Sequence, residues 1–146
     1  MLFLGSFSSK YDTSGRLRIP EALRVSFSDE AYMTFGFDQN IMLLPPDVFK
    51  SLSHIISCLN IADPLSRVLM RMFLGSACHV KISSKGEVVI PGRLAEYAGL
   101  NVSAFMVGQG EYVEIWNPKQ WEVQEKIIQE SNKNLERFAG LDIRLR

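Results

Sequence analysis

Two arginines near the amino end have the type and spacing needed to contact nucleic acid. Arg16 and Arg18 stand two residues apart in YDTSGRLRIPEALR, so on a β-strand their side chains point to one face. A guanidinium can donate two hydrogen bonds to O6 and N7 of guanine, and a two-stranded ribbon fits the DNA major groove. An alternative is structural: Arg16 pairs with Asp12 across the turn and Arg18 lies in water. The charges alone favour this alternative.

The sequence gives weaker support to a catalytic site, a metal site or a base-stacking site. Groups that could act together as acid, base and nucleophile are not found at a convincing spacing, so no catalytic residue, cofactor or small-molecule substrate is predicted. A zinc site can be drawn from His54, Cys58, Cys78 and His79, but adjacent residues on a strand point to opposite faces, so no metal is predicted. The aromatic residues Trp116, Trp121 and Phe49 are interpreted as core residues rather than base-stacking platforms.

The elements that would position Arg16 and Arg18 occur twice. The stretch HVKISSKGEVVIPGRLAEYAGL repeats the order of the first, with Gly15 and Ile19-Pro20 returning at Gly86 and Ile90-Pro91. Leu4-Gly5-Ser6 likewise returns as Leu74-Gly75-Ser76. Each copy predicts a strand, a tight turn, a second strand, a short helix, two more strands and a closing helix. The predicted fold class is α+β, with two tandem, β-rich half-repeats related by a pseudo-twofold.

Local signals define the turns and helix ends. In DTSG and SSKG an Asp or Ser can bond the backbone ahead, and the glycine supplies a positive φ, so each copy predicts a bulged hairpin. Asn117-Pro118 and Asp63-Pro64 predict helix starts, and Gly99 predicts a helix end.

These signals divide the chain into four segments. They are repeat 1 at residues 4–50, a helical linker at 51–74, repeat 2 at 75–122 and a C-terminal helix or tail at 123–146. The linker helix carries one apolar stripe, formed by Leu65, Val68, Leu69, Met72 and Phe73. We expect this stripe to pack between the copies or on a neighbouring subunit.

Composition limits the classes of protein. The 146 residues are 47% hydrophobic and carry no net formal charge, so self-association is expected and any nucleic-acid binding must come from local clusters. Two cysteines without a secreted disulfide pattern favour the cytoplasm. Neither a signal peptide nor a membrane span is predicted.

The paired units resemble the bacterial MraZ proteins, double-copy members of the AbrB-like, swapped-hairpin superfamily (also grouped with double-psi folds). The likeness rests on YDTSGRLRIPEALR, the second G-x-V-x-I-P unit and VGQGEYVEIW. It implies a nucleoid-associated, DNA-binding transcription regulator of the cell-division and cell-wall gene cluster. Such a regulator binds short direct repeats in its own promoter and assembles into a closed, octamer-like ring whose hairpins contact the double-stranded DNA.

The family pattern D-x-x-x-R maps onto Asp12 and Arg16, whereas Ser83 and Glu87 stand at the matching places of the second copy. The resemblance therefore implies a DNA role for the first hairpin and does not extend it to the second, because a carboxylate is repelled by phosphate. The residues assigned to DNA contact are Lys10, Asp12, Gly15, Arg16, Arg18 and Arg24, with Lys81 and Lys85 as secondary backbone contacts. The alternative function is an oligomeric scaffold or antitoxin-like interaction module without specific DNA binding.

Overall fold

The computed structural model describes residues 2–143. The first copy consists of β1 (Ser6–Lys10), β2 (Arg16–Arg18), α1 (Glu21–Arg24), β3 (Glu30–Phe35), β4 (Ile41–Leu44) and α2 (Pro46–Ser57). Helix α3 (Pro64–Ser76) leads to the second copy, which consists of β5 (Cys78–Lys81), β6 (Glu87–Val89), α4 (Gly92–Ala98), β7 (Ser103–Gly108), β8 (Val113–Trp116) and α5 (Pro118–Lys133). A short 3-10 helix (Leu135–Phe138) follows. The predicted α+β class and element order are confirmed.

The two copies exchange strands. Six strands form one sheet in the order β1-β7-β8-β4-β3-β5, and β2 pairs with β6 in a separate two-stranded ribbon. The first strand of each copy therefore lies against the third strand of the other copy, antiparallel in both cases. Neither copy completes the sheet alone, so the tandem repeat folds as one unit.

The predicted hairpins need a correction. The strands beside the first turn form a single β-bridge, Tyr11–Leu17, and then β1 enters the large sheet while β2 joins β6. Pairing across the copies places Leu17 and Val88 together over the sheet, where their exposed fractions are 0% and 1%. Burial of such a side chain contributes about 1.5–3 kcal/mol. A three-residue strand paired only with its own neighbour would not enclose Leu17 in this way.

The six-stranded sheet separates two apolar regions because its side chains alternate between faces. One face packs under the ribbon, α1 and α4, with a core that includes Leu17, Ile19, Leu23, Val88, Ile90 and Leu94. The opposite face packs against α2 and α3 around Met42, Leu44, Ile56 and Phe73, and separately places Val107, Trp116 and Trp121 together. The ribbon therefore stands on a continuous core and presents its outer face to solvent.

The helix ends follow the predicted signals. Asp63 Oδ1 accepts a hydrogen bond of 2.9 Å from Leu65 N, and Asn117 Oδ1 accepts one of 2.8 Å from Lys119 N. Gly99 ends α4 with φ of 67°. The signal for each end was local, which is why the sequence predicted it.

Two sequence assignments look different in the structure. Leu74-Gly75-Ser76 forms the last turn of α3, whereas Leu4 and Gly5 are irregular and Ser6 begins β1, so these triplets are not structurally equivalent. The boundary placed after residue 50 falls inside α2, which continues to Ser57. Residues 144–146 of the predicted tail lie outside the described part.

Within residues 2–143, no helix is both long and apolar enough to cross a membrane.

The predicted stripe on α3 divides between core and surface. Phe73 is fully buried against α2, whereas Leu65 and Val68 are 73% and 56% exposed. The buried side of α3 also supplies Ser76, whose hydroxyl group bonds Thr34 Oγ1 at 2.8 Å and accepts from Phe35 N at 3.0 Å. The amino-terminal half of the stripe thus faces solvent in the single chain.

Candidate nucleic-acid interface

The ribbon formed by β2 and β6 presents the two predicted arginines outward. Its antiparallel register pairs Arg16 with Val89, Leu17 with Val88, and Arg18 with Glu87. Leu17 and Val88 point into the core, so the neighbouring positions on both strands point to solvent. Arg16 and Arg18 are both exposed on this outer face, as their two-residue spacing predicts.

The first turn, residues 12–15, is held by one carboxylate. Asp12 Oδ1 accepts hydrogen bonds from Ser14 N at 2.9 Å, Ser14 Oγ at 2.6 Å and Arg16 N at 3.0 Å. The hydrogen bond from the Ser14 hydroxyl, with those from the backbone amides, lowers the pKa of Asp12. Gly15 adopts φ of 84°, which favours glycine. Asp12 and Gly15 therefore fix the backbone from which Arg16 projects.

The alternative pairing of Arg16 with Asp12 does not form between their side chains. Asp12 is bonded to the backbone N–H of Arg16, and within residues 2–143 the two side chains form no ion pair, although the charge of Arg16 adds a small contribution to the lowering of the pKa of Asp12. The Arg16 guanidinium is therefore available to an external acceptor.

The second turn, residues 83–86, keeps this geometry with different residues. Ser83 Oγ accepts from Glu87 N at 3.1 Å, and Gly86 adopts φ of 78°. The turns also hold each other, because Ile90 N donates to the Gly15 carbonyl and Ile19 N to the Gly86 carbonyl, both at 2.8 Å. The expectation that Ser83 replaces an aspartate as turn acceptor is confirmed.

The other predicted cations divide between two grooves. One cleft of about 710 Å³ is lined by Lys10, Arg18, Arg24 and Lys85 together with Ser84, Gly86, Glu21 and neighbouring residues. A second groove of about 390 Å³ runs past Arg16, Lys81, Lys85 and Glu87. Lys85 lines both grooves because it stands at the tip of the second turn.

Arg24 occupies a different environment from the outer arginines. It is half-buried, and its Nη2 donates to the Ser83 carbonyl at 3.4 Å. Its side chain passes over Gly86, where an added Cβ would lie 3.5 Å from Arg24 Cδ. Arg24 of the first copy therefore supports the second turn.

Sequence reasoning missed two residues of this surface, Val89 and Ser84. Val89 is 55% exposed beside Arg16 on the outer face of the ribbon, and Ser84 lines both grooves. An apolar group in this position suits the methyl group of thymine. Only the β2–β6 register brings these residues to the arginines, and no motif within either copy reveals that register.

The remaining candidate residues have structural surroundings. Within residues 2–143, no three His, Cys, Asp or Glu side chains come together as metal ligands. Trp116 and Trp121 are 3% and 8% exposed and pack together, and Phe49 stacks on Tyr32. The interpretation of these aromatic residues as packing residues is confirmed.

Comparison with known proteins identifies the family. The family model described as "MraZ protein, putative antitoxin-like" matches residues 2–72 and again 72–140. The chain belongs to the MraZ family. This membership confirms the resemblance stated from the sequence, including its double-copy character.

Curated MraZ relatives match most of the chain. The transcriptional regulator MraZ of Thermomicrobium roseum is 37% identical over 127 residues, which are 87% of this chain and 89% of the relative. That of Herpetosiphon aurantiacus is 33% identical over 83% of this chain and 85% of its own. That of Roseiflexus castenholzii is 32% identical over 94% of both chains. All three of these relatives are named as transcriptional regulators.

Proposed function

We propose that this MraZ-family protein binds short direct repeats of double-stranded DNA in the promoter of its own gene. That promoter serves the cell-division and cell-wall gene cluster, and the protein acts in the cytoplasm, associated with the nucleoid. Arg16 and Arg18 read base edges from the outer face of the ribbon. The other assigned residues, Lys10, Asp12, Gly15 and Arg24, position the chain or contact phosphates, and Lys81 and Lys85 add backbone contacts.

The observation that carries this proposal is that the backbone of Arg16 is fixed while its guanidinium forms no ion pair. The first turn holds the Arg16 backbone through Asp12, and the core holds the strand through Leu17. Within residues 2–143, the Arg16 guanidinium forms no ion pair. Because the backbone is already fixed, binding to guanine has to order only the Arg16 side chain, and its planar guanidinium loses less freedom for each hydrogen bond that it forms than a flexible donor does.

The neutral chain is expected to bind as an assembly. One ribbon offers few cations, and the total formal charge is zero, so a single subunit would be attracted weakly. A closed, octamer-like ring presenting several ribbons to spaced repeats gains avidity of about 10²–10⁴. Exposed apolar side chains at Ile61, Leu65 and Val68 give the chain a surface suited to subunit contact.

The proposal is tested by Arg16→Ala with Glu87→Ala as the matched ribbon control. Duplexes carrying the upstream repeats and a scrambled sequence are titrated by fluorescence anisotropy over a salt series. Arg16→Ala removes a bidentate base contact worth about 1–3 kcal/mol, or roughly 5- to 150-fold per repeat. Glu87→Ala is expected to leave binding unchanged or tighten it, because it removes a carboxylate beside phosphate.

Two results would overturn the assignment. Binding of Arg16→Ala to the repeats with wild-type affinity and wild-type discrimination against the scrambled duplex would remove base reading from this ribbon. Absence of salt-sensitive binding by the wild-type protein would favour the second candidate, an oligomeric scaffold or antitoxin-like interaction module. The exposed apolar part of α3 supports that candidate, as does the antitoxin-like description of the family.

A further inference from the structure

The cleft beside the second turn combines cations from four separate elements. Lys10 ends β1, Arg18 ends β2, Arg24 ends α1, and Lys85 extends from the second turn. The Ser9 hydroxyl donates to the Arg18 carbonyl and ties the ends of β1 and β2 together. Four positive groups thus surround a cleft of about 710 Å³ whose lining includes one carboxylate, that of Glu21.

The pseudo-twofold offers an internal control for this cluster. With an offset of 71 residues, the core positions Leu17, Ile19 and Leu23 correspond to Val88, Ile90 and Leu94, and all six are buried. The same offset carries Lys10, Arg18, Arg24 and Lys85 to Lys81, Val89, Ala95 and Ser14. One cation of the four therefore remains at the related end of the ribbon. The fold does not require the cations, because the second copy keeps the same architecture without most of them.

We propose that this cleft binds one phosphate of the DNA backbone beside the bases that Arg16 reads, an inference that rests on the proposed function. Arg24 provides a planar donor and Lys10 and Lys85 provide point charges for a phosphate, Ser84 adds a hydroxyl, and the Arg18 guanidinium is left for the base edges. Phosphate contacts fix the register and orientation of a protein on the duplex, whereas base contacts specify the sequence.

Charge at one end of the ribbon gives each subunit a direction on DNA. A ribbon with equal cations at both ends would hold the backbone equally well in two orientations. The observed cluster lies at the Arg18 end, next to the second turn. At the related positions of the Arg16 end, three of the four cations are replaced, by Val89, Ala95 and Ser14. Direct repeats all run in the same direction, so an assembly that binds them needs this polarity from every subunit.

The cleft also gives the second copy a part in binding. Its carboxylate at Glu87 is unsuited to phosphate, but Lys85 supplies a positive charge at the turn tip. The Ser83 carbonyl holds Arg24 at the edge of the cleft. Binding therefore uses both copies, one for base reading and both for the phosphate.

The test uses Lys85→Ala in the full chain, with Lys50→Ala as control. Lys50 is an exposed lysine on α2, at the opposite face of the sheet. Repeat-bearing and scrambled duplexes are titrated between low and moderate salt. For Lys85→Ala we expect a loss of roughly 5- to 10-fold at 0.1 M salt on both duplexes, and a salt slope smaller by about 1 per bound subunit. Lys50→Ala should change neither quantity, and thermal melts should show both variants folded.

A neutral methylphosphonate placed once in each repeat is the matching change on DNA. When the methylphosphonate replaces the phosphate that the cleft contacts, Lys85→Ala should cause no further loss of affinity for that duplex. An unchanged affinity and salt slope for Lys85→Ala, while Arg16→Ala loses discrimination, would overturn the cleft assignment and leave the proposed function standing. Loss of discrimination in Lys85→Ala would make Lys85 a base reader and would also overturn it. If inorganic phosphate at matched ionic strength bound the wild-type cleft while Lys85→Ala left DNA binding unchanged, the site would belong to a free anion.

Discussion

Substitution of Gly15 tests whether the first turn presents Arg16 through its backbone geometry. Gly15 has φ of 84°, and an added Cβ would lie 3.4 Å from the Ile90 carbonyl oxygen. A left-handed backbone costs a residue with a Cβ about 1–2 kcal/mol. For a chain of this length each kcal/mol lowers Tm by roughly 2–4 °C, so Gly15→Ala should lower Tm by about 2–8 °C. Relief of this strain would move the turn, so repeat binding should weaken even where the variant is folded.

Gly110→Ala is the matched control because it introduces the same backbone strain at a position outside the first turn. Gly110 also adopts φ of 84°, with no heavy atom within 4 Å of its added Cβ, and it belongs to the β7–β8 connection. We expect a similar fall in Tm and unchanged DNA binding. The measurements are thermal denaturation and anisotropy titration well below both transitions. An unchanged Tm for both variants would refute the conformational argument, and wild-type repeat binding by a destabilised Gly15→Ala would refute the link between turn and contact.

Two further predictions concern stability and assembly. Burial raises the pKa of Glu114, so the folded state holds that proton more tightly and the free energy of unfolding should fall as pH rises through and above about 4.3. Glu114→Gln can still accept from Trp116 Nε1 and should reduce this fall in denaturant titrations between pH 4 and 7; an unchanged pH dependence would contradict the assignment. Leu65→Ser with Val68→Ser changes exposed side chains, so we expect protomer stability within about 0.5 kcal/mol of wild type and smaller assemblies by mass photometry. Wild-type mass would exclude this face as the subunit interface.

The sequence predicted most of the elements because their signals are local. Asp63 and Asn117 cap helices where the sequence placed them, and Gly15 and Gly86 take the positive φ that their turns require. The exchange of strands was beyond such signals, since the partner of β2 lies about seventy residues away. The matched Leu-Gly-Ser triplets even suggested an equivalence that the structure does not have, because a short sequence match does not record whether a segment is helical.

The sequence predicted individual residues of the candidate site, but it did not predict which residues of the two copies lie side by side on its surface. The outward direction of Arg16 and Arg18 followed from strand alternation. Their neighbours did not, because Val89 and Lys85 reach the first copy only through the register between β2 and β6. Arg24 shows the same dependence, since its hydrogen-bond acceptor, the carbonyl of Ser83, belongs to the other copy.

The crossing of the two copies explains how one of them could change its outer face without losing its fold. Val88 and Ile90 keep the buried positions of β6 and its continuation, and Ser83 with Gly86 keeps the second turn closed. Glu87 and Val89 alternate with these residues and face outward, where a substitution costs little stability. The difference between the copies is therefore concentrated on the surface that would meet DNA. The ribbon, to which each copy contributes one strand, becomes directional through a few exposed residues, while the core that supports it stays nearly symmetric.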